Sequence, residues 1–70
     1  MKSEEIGNVI AVRRESLALN QQDLAEMAGV AAKTIYMIES SKGNPSLQTL
    51  QKIMEVLGLE IKVGIKQIQG

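Results

Sequence analysis

Residues 33–40 hold the side chains of this sequence that are best suited to contact another molecule. Lys33 can donate hydrogen bonds, and Tyr36 adds a hydroxyl on the only aromatic ring in the chain. Ile35 and Ile38 lie three residues apart, so on a helix they share one buried face. The side chains on the opposite side are Lys33, Tyr36, Met37 and Ser40. The pattern predicts a helix that presents a hydrogen-bonding surface to a partner.

A sharp corner precedes this helix. Asn20 is a good N-cap for a shorter helix over residues 21–28. Gly29 stands just past the apolar face of that helix, where a residue with positive φ ends the helix and turns the chain. Ala25, four residues before Gly29, leaves room for two steeply crossed helices to approach each other. Residues 21–40 therefore predict a helix-turn-helix unit, whose protruding second helix fits the major groove of DNA.

The register of these residues resembles that of a known family, the phage-repressor (Cro-like, Xre-type) helix-turn-helix regulators. The resemblance runs from about Ile6 to about Leu59, which is most of the chain. The matching positions are Arg14, Gln21, Ala25, Gly29, Val30, Ile35, Ile38, Glu39, Lys42, Pro45, Ser46, Leu47 and Leu50. The resemblance implies a mainly α, lambda-repressor-like DNA-binding domain of about four helices. It also implies a transcriptional repressor that binds double-stranded DNA at a palindromic operator as a homodimer.

The resemblance also implies which residues contact DNA. Lys33 is expected to donate to guanine O6 or N7, and Gln21 to reach a phosphate. The full set of expected contacts is Gln21, Ala31, Ala32, Lys33, Tyr36 and Met37, with Ser40, Lys42 and Asn44 as phosphate contacts from the following loop. The two alanines offer only methyl groups, to a thymine for example. The family's frequent glutamine or arginine pairs are absent from this face, so recognition of DNA shape is expected to contribute more than usual.

Two further family positions are structural. Arg14 and Glu39 are expected to bridge the first and third helices, because a guanidinium group can bind a carboxylate at two points. Arg13 is expected to face another way, toward phosphate. Ala18 and Ser41 stand where the family often has glycine, so strain is expected at Ala18, and Gly43 is expected to supply the flexible position near Ser41.

The remaining helices follow from apolar periodicity. Helices are predicted over residues 3–17, 21–28, about 31–40 and 47–57, with Ser46 as the last N-cap and Gly58 as the final stop. Residues 40–45 read as a loop because they contain glycine and proline. The inward side chains are expected to include Ile6, Ile10, Leu17, Leu24, Ala25, Met27, Ala28, Leu47, Leu50, Ile53, Met54 and Leu57. Val9 and Val12 form a spare apolar edge.

A change of period after Gly58 predicts a single C-terminal β-strand over residues 59–66. Leu59, Ile61, Val63 and Ile65 alternate there with polar residues or glycine. A lone strand must pair with another copy or another protein, and two copies on a twofold axis would form an antiparallel ribbon. This arrangement resembles the HipB-like antitoxin branch of the family, whose dimers also bind a cognate toxin protein.

The composition limits the classes of function. Seventy residues allow a single domain, 1–70, whose small core makes oligomerisation a common source of added stability. The chain has no cysteine and no histidine, so no disulfide, metal site or cofactor is expected. It also lacks a glycine-rich phosphate loop, which argues against an enzyme. The first ten residues resemble neither a signal peptide nor a membrane span, so a cytoplasmic protein with no membrane contact is expected.

Net charge leaves one alternative open. Eight basic and eight acidic residues give a formal charge of zero, whereas DNA-binding domains are commonly basic. Neutrality, together with Tyr36 and Met37 on the exposed helix face, also suits a protein-interaction module with the same fold and little DNA affinity. Such a module would be a scaffold or would neutralise a toxin.

Overall fold

The computed structural model describes residues 3–62, which form four α-helices joined by short loops. The helices are α1 (Ser3–Ser16), α2 (Gln21–Ala28), α3 (Ala32–Glu39) and α4 (Leu47–Leu57). Each begins and ends within one or two residues of its predicted bounds. No strand is present within residues 3–62.

Local hydrogen bonds explain where α2 and α4 begin and end. The Asn20 side chain accepts from the Asp23 N–H at 2.7 Å, and the Asp23 carboxylate accepts from the Asn20 N–H at 3.0 Å, which is a complete capping box. Ser46 caps α4 by accepting from the Thr49 N–H at 3.1 Å. Both helices end at a glycine in the left-handed conformation, with φ of 72° at Gly29 and 70° at Gly58. These four predicted boundaries are confirmed.

The core is shared by all four helices. Its fully buried side chains are Ile10 from α1, Leu24 from α2, Ile35 from α3, and Ile53 and Leu57 from α4. Ala25, Ala28, Ile38 and Met54 complete the buried cluster. Because α3 packs against both α1 and α2 through Ile35 and Ile38, its other side is left facing outward.

Three leucine and methionine residues expected inside are exposed instead. Leu17 is 40% exposed because α1 ends at Ser16 and the chain turns there, so that Leu19 packs on the core in its place. Met27 is 60% exposed because it lies about 100° around α2 from the centre of the Leu24–Ala28 face. Leu47 is 58% exposed because it is the first residue of α4 and lies six residues before Ile53, the first buried side chain of that helix.

The predicted C-terminal strand lies only partly within the described residues. Leu59 packs against the core and Ile61 is exposed, but residues 59–62 pair with no other strand in the described part of the chain. Residues 63–66 lie outside the described range. The strand therefore stays a prediction.

Two residues other than glycine adopt the left-handed conformation. Ala18 has φ of 58°, which confirms the expected strain between α1 and α2. Ser41 has φ of 61°, so the expectation that Gly43 would take over the flexible position is wrong. Gly43 has another role, since a Cβ at that position would lie 3.1 Å from the Met37 Cβ. Its missing side chain lets the loop approach α3 closely.

The strain at Ala18 can be tested by measuring the stability of two variants. Ala18→Gly is expected to raise the free energy of unfolding by about 1 kcal/mol, because glycine adopts positive φ without a Cβ clash. The same replacement at Ala11, inside α1, is expected to lower it by about 1 kcal/mol. Thermal or urea unfolding of both variants measures the difference, and equal losses would show that Ala18 is not strained.

Candidate nucleic-acid interface

The exposed side of α3 gathers most of the residues that the sequence predicted to read DNA bases. Ala31 and Lys33 are exposed, and Tyr36 is half-exposed at 50%. Ala32 and Met37 are partly buried at the edges of the same surface, where Ala32 packs against the core. Of the expected base-reading residues, the structure thus leaves Ala31, Lys33 and Tyr36 the most open to a partner.

The loop after α3 stands beside this surface. Its fold is set by hydrogen bonds back to α3, in which the N–H groups of Lys42 and Gly43 donate to the Met37 carbonyl at 2.9 and 3.2 Å. The Lys42 and Asn44 side chains are exposed. The Ser40 hydroxyl donates to the Tyr36 carbonyl at 2.8 Å, so its proton is engaged within the chain and its oxygen is left as an acceptor.

An ion pair links α1 to the last residue of α3. Arg14 Nε donates to Glu39 Oε2 at 2.7 Å, and Arg14 Nη2 donates to Glu39 Oε1 at 2.9 Å. The two side chains are only 12% and 8% exposed. The hydrogen bond to Glu39 raises the pKa of Arg14 further above its usual value, against the opposing effect of burial. The expected two-point bridge is therefore present.

Arg14 and Glu39 also bind the turn before α2 and the first residue of α2. Arg14 Nη1 donates to the Leu19 carbonyl at 2.7 Å, in the turn before α2. Gln21 Nε2 donates to Glu39 Oε1 at 3.2 Å. One N–H of the Gln21 amide is thus used inside the domain, while the phosphate contact expected of Gln21 stays a prediction. The amide is fixed at the first residue of α2, on the same carboxylate that ends α3.

Arg13 has a role that the sequence did not reveal. Its Nε donates to the Leu57 carbonyl at 2.8 Å, so it binds the carboxyl end of α4, while the approach to phosphate expected of Arg13 stays a prediction. A cation is favourable at this end of a helix, where carbonyl groups lack partners. The two residues are 44 positions apart, and no local pattern in the sequence indicates their contact.

The described residues show no sign of a metal site or a membrane span. Within residues 3–62, no three acidic side chains come together in a way that would hold a metal ion. No helix in this range has the length and apolar character needed to cross a bilayer.

Comparison with known proteins identifies the family. Residues 10–63, which make up most of the chain, match the helix-turn-helix family. The chain belongs to the helix-turn-helix family. This confirms the Xre-type, lambda-repressor-like resemblance found in the sequence. The family and fold are those of DNA-binding regulators rather than enzymes, which also confirms the expectation drawn from the residue types.

Related proteins from archaea and bacteria share this domain. The chain is 39% identical over 59 residues to a protein of Methanocaldococcus jannaschii assigned to the HTH-type transcriptional regulatory proteins. The match covers 84% of this chain and 19% of the relative. It is 34% identical over 55 residues to the HTH-type transcriptional regulator PuuR of Escherichia coli, covering 79% of this chain and 30% of PuuR. The chain thus spans about a fifth to a third of the length of these relatives.

The fold is also similar to solved structures of the regulator SinR. A SinR structure in complex with DNA gives a TM-score of 0.74 at 38% sequence identity, covering 79% of this chain and 89% of that one. A complex of SinR with SinI gives a TM-score of 0.73 at 38% identity, covering 77% of this chain and 53% of that one.

The ion pair predicts non-additive losses of stability. Glu39→Ala is expected to lower the free energy of unfolding by on the order of 1–3 kcal/mol, because it leaves the Arg14 charge desolvated and unpaired. Replacing both residues should cost less than the sum of the single replacements. Glu15→Ala is the matched control, since Glu15 is 71% exposed and 3.7 Å from the same guanidinium, and it should cost less than about 1 kcal/mol. Additive losses in the Arg14–Glu39 cycle would contradict the pairing.

Proposed function

We propose that this chain binds DNA as a homodimeric transcriptional regulator, a repressor that reads a palindromic operator through α3. The observation that carries the proposal is the match to DNA-bound SinR, in which the similarity covers 89% of the SinR chain at 38% identity. The exposed face of α3 supports it, because a protruding helix is the part of this fold that enters the major groove. We further propose that residues 1–70 form a single domain and that the protein works in the cytoplasm.

The distribution of charge supports DNA binding despite the neutral total. Residues 31–46 contain a single acidic residue, Glu39, and its carboxylate is paired with Arg14. Lys33 and Lys42 are the charged side chains that this segment exposes. The exposed charged side chains of this segment are therefore both positive, which favours attraction to the phosphate backbone.

The proposed contacts divide into two classes. Lys33 reads guanine at the centre of the exposed face. It is flanked by Ala31, which precedes α3, and by Ala32, Tyr36 and Met37 of α3. Phosphates are held by Gln21 at the start of α2 and by the α3–α4 loop, through Ser40, Lys42 and Asn44. For Ser40, donation to a phosphate replaces the bond of its hydroxyl to the Tyr36 carbonyl. Phosphate contacts fix the position of the domain, and base contacts supply the sequence preference.

Dimer formation is proposed through residues 59–66. A groove of about 400 Å³ lies beside the point where the described chain ends, lined by Ile6, Val9, Leu47, Leu50, Met54 and Leu59–Lys62. Val9, Leu47 and Ile61 are exposed there, and Val12 is exposed farther along α1. Pairing of the alternating segment across a twofold axis would bring apolar side chains of two copies to this surface.

One alternative function has a specific observation in its favour. The related SinR has been solved in a complex with the protein SinI, so a protein partner is compatible with relatives of this fold. Under this alternative the half-exposed Tyr36 and the neutral total charge would serve a protein interface with little DNA affinity. An antitoxin role is a narrower form of the same idea, supported by the alternating pattern of residues 59–66 alone. A toxin gene beside this one would favour it.

DNA binding predicts separable effects of two substitutions. Lys33→Ala is expected to cost roughly 1–3 kcal/mol of binding free energy on the preferred operator and to relax its base preference. Gln21→Ala should weaken all duplexes evenly, because a phosphate contact carries no sequence information. Fluorescence anisotropy with a selected operator and a scrambled duplex measures both effects.

Gln22→Ala is the matched control for Gln21, since Gln22 lies on the exposed side of α2 and bonds only Glu26 in the described structure. Half-sites about 34 Å apart are expected in the selected operator. Absence of binding to any duplex at low salt would favour the interaction-module alternative.

Dimer formation predicts a concentration-dependent mass. The protein is expected to be a dimer at micromolar concentration, and Val63→Pro should weaken association because proline cannot donate a ladder hydrogen bond. Light scattering and analytical ultracentrifugation measure the mass, with circular dichroism confirming that the helices are retained. Val12→Ala tests the apolar edge on α1 separately. A wild-type monomer at these concentrations would overturn the proposed dimer.

A further inference from the structure

The segment that leaves α4, residues 59–62, has backbone groups that a second chain can reach. Its first residue is fixed, because the Leu59 N–H donates to the Met54 carbonyl at 2.9 Å and the Leu59 side chain packs on the core. Within residues 3–62, the N–H groups of residues 60–62 donate to no backbone carbonyl. Backbone groups of this kind are where another strand adds.

Two grooves of different character flank this segment. One, which we name the α1 groove, has a volume of about 400 Å³ and a far wall of aliphatic side chains, from Ile6, Val9, Leu47 and Leu50. The other has a volume of about 260 Å³, shares Met54 and residues 59–61 with the first, and is completed by Gln51 and Glu55. An added strand with apolar side chains is therefore favoured on the side of the α1 groove, where it buries apolar surface.

The side chains of the segment divide into an apolar pair and a charged pair. Leu59 and Ile61 line the α1 groove, and Ile61 is 39% exposed. Glu60 and Lys62 are 75% and 83% exposed and form an ion pair with each other at 3.4 Å. So exposed an ion pair contributes little to stability, and both charges stay available to a second chain.

Twofold symmetry limits how two copies of this segment can pair. In an antiparallel ribbon of identical segments, one residue lies beside its own copy on the axis, and its neighbours pair in reverse order. Glu60 or Lys62 on the axis would face its own copy, and like charges directly opposite destabilise a ribbon. With Ile61 on the axis, Glu60 faces the partner's Lys62 and Lys62 faces the partner's Glu60. Both cross-strand charge pairs are then attractive.

The apolar wall of the α1 groove gives a second criterion. With Ile61 on the axis, Ile61 and Leu59 face the partner's Ile61 and the partner's Val63, which are both aliphatic. With Val63 on the axis, they would face the partner's Ile65 and the partner's Gln67, which places an amide against an apolar wall. Of the axes at residues 60–63, the one at Ile61 alone satisfies both the charge criterion and the apolar criterion.

We propose that a second copy of this chain pairs with residues 59–62 on the side of the α1 groove, in the register that places Ile61 beside the partner's Ile61. The partner's Ile61 and the partner's Val63 then cover Val9 and Leu47, which are 39% and 58% exposed in the single chain. This inference rests on the proposed dimer, and it adds the edge at which the two copies pair and the residue that lies on the axis.

The register can be measured by disulfide formation, because the chain has no cysteine of its own. Ile61→Cys is expected to give a covalent dimer on mild oxidation, since residues on the axis lie about 4.5–5.5 Å apart at Cα, within the range of a disulfide. Glu60→Cys and Lys62→Cys are the matched controls. Each should stay uncrosslinked alone, because each stands about 7–8 Å from its own copy, whereas a mixture of the two should crosslink. Non-reducing electrophoresis and mass spectrometry measure the products.

Charge exchange tests the same register without a covalent bond. Glu60→Lys and Lys62→Glu should each raise the dissociation constant of the dimer on the order of tenfold, because each places two like-charged pairs across the axis. Mixing the two variants should restore association, since every cross-strand charge pair is then attractive. With Val63 on the axis, Glu60→Lys alone would weaken the dimer, because Lys62 would face the partner's Gly64. Analytical ultracentrifugation at low salt measures each case.

Lysine substitutions on the two flanking grooves test the edge. Val9→Lys places a charge in the α1 groove and should weaken the dimer by roughly tenfold or more. Gln51→Lys adds the same side chain to the other groove and should leave association unchanged. Circular dichroism of both variants shows whether the helices are kept. Equal weakening by the two substitutions in folded protein would overturn the assignment of the edge.

The outcomes separate this inference from the proposed function. A wild-type monomer at micromolar concentration overturns the proposed dimer itself. A dimer that crosslinks through Lys62→Cys or Val63→Cys, and not through Ile61→Cys, overturns the register and leaves the dimer standing. A dimer that crosslinks at none of residues 60–63 also overturns the inference, because another surface then joins the two copies.

Discussion

The two-point pairing of Arg14 with Glu39 is the interaction on which the arrangement of this domain depends. One guanidinium contacts the last residue of α3 and the carbonyl of Leu19, and the same carboxylate receives the amide of Gln21 at the start of α2. Three helices are thereby tied at one nearly buried point. A planar fork fixes direction as well as distance. The outward face of α3 is consequently held in a fixed position relative to α1 and α2.

Close backbone approach makes this pairing possible. A Cβ at Gly7 would collide with the Ile38 carbonyl oxygen and would lie 3.0 Å from the Glu39 carbonyl oxygen. Glycine at this position of α1 therefore lets the end of α3 come near enough for the short bonds between Arg14 and Glu39. Ala25 is buried on α2, where its small side chain likewise leaves room for the two helices of the corner to approach each other. Small residues and the charged pair thus act together.

The sequence predicted the features that depend on local chemistry. Asn20, Gly29, Ser46 and Gly58 mark helix ends because caps are local interactions, and the outward side of α3 followed from the spacing of Ile35 and Ile38. Met27 and Leu47 were misplaced because periodicity alone does not show how wide a buried face the neighbouring helices cover. The bond from Arg13 to Leu57 and the close approach of the α3–α4 loop to Met37 were not predicted either. The first depends on how segments 44 residues apart meet, and the second depends on a loop whose approach is set by Ser41 and Gly43.

The bond between Arg13 and the end of α4 has a mechanical consequence. It clamps the last described helix to the first one at the residue before Gly58, whose left-handed backbone then sets the direction of Leu59–Lys62. The exit from the helical domain is thus set by two features, the bond from Arg13 and the left-handed backbone of Gly58. In the proposed twofold dimer, an extra base pair between half-sites would have to be absorbed elsewhere than at this exit, for example by twisting the DNA. In that dimer, the four helices themselves would contribute little tolerance to the spacing of the operator.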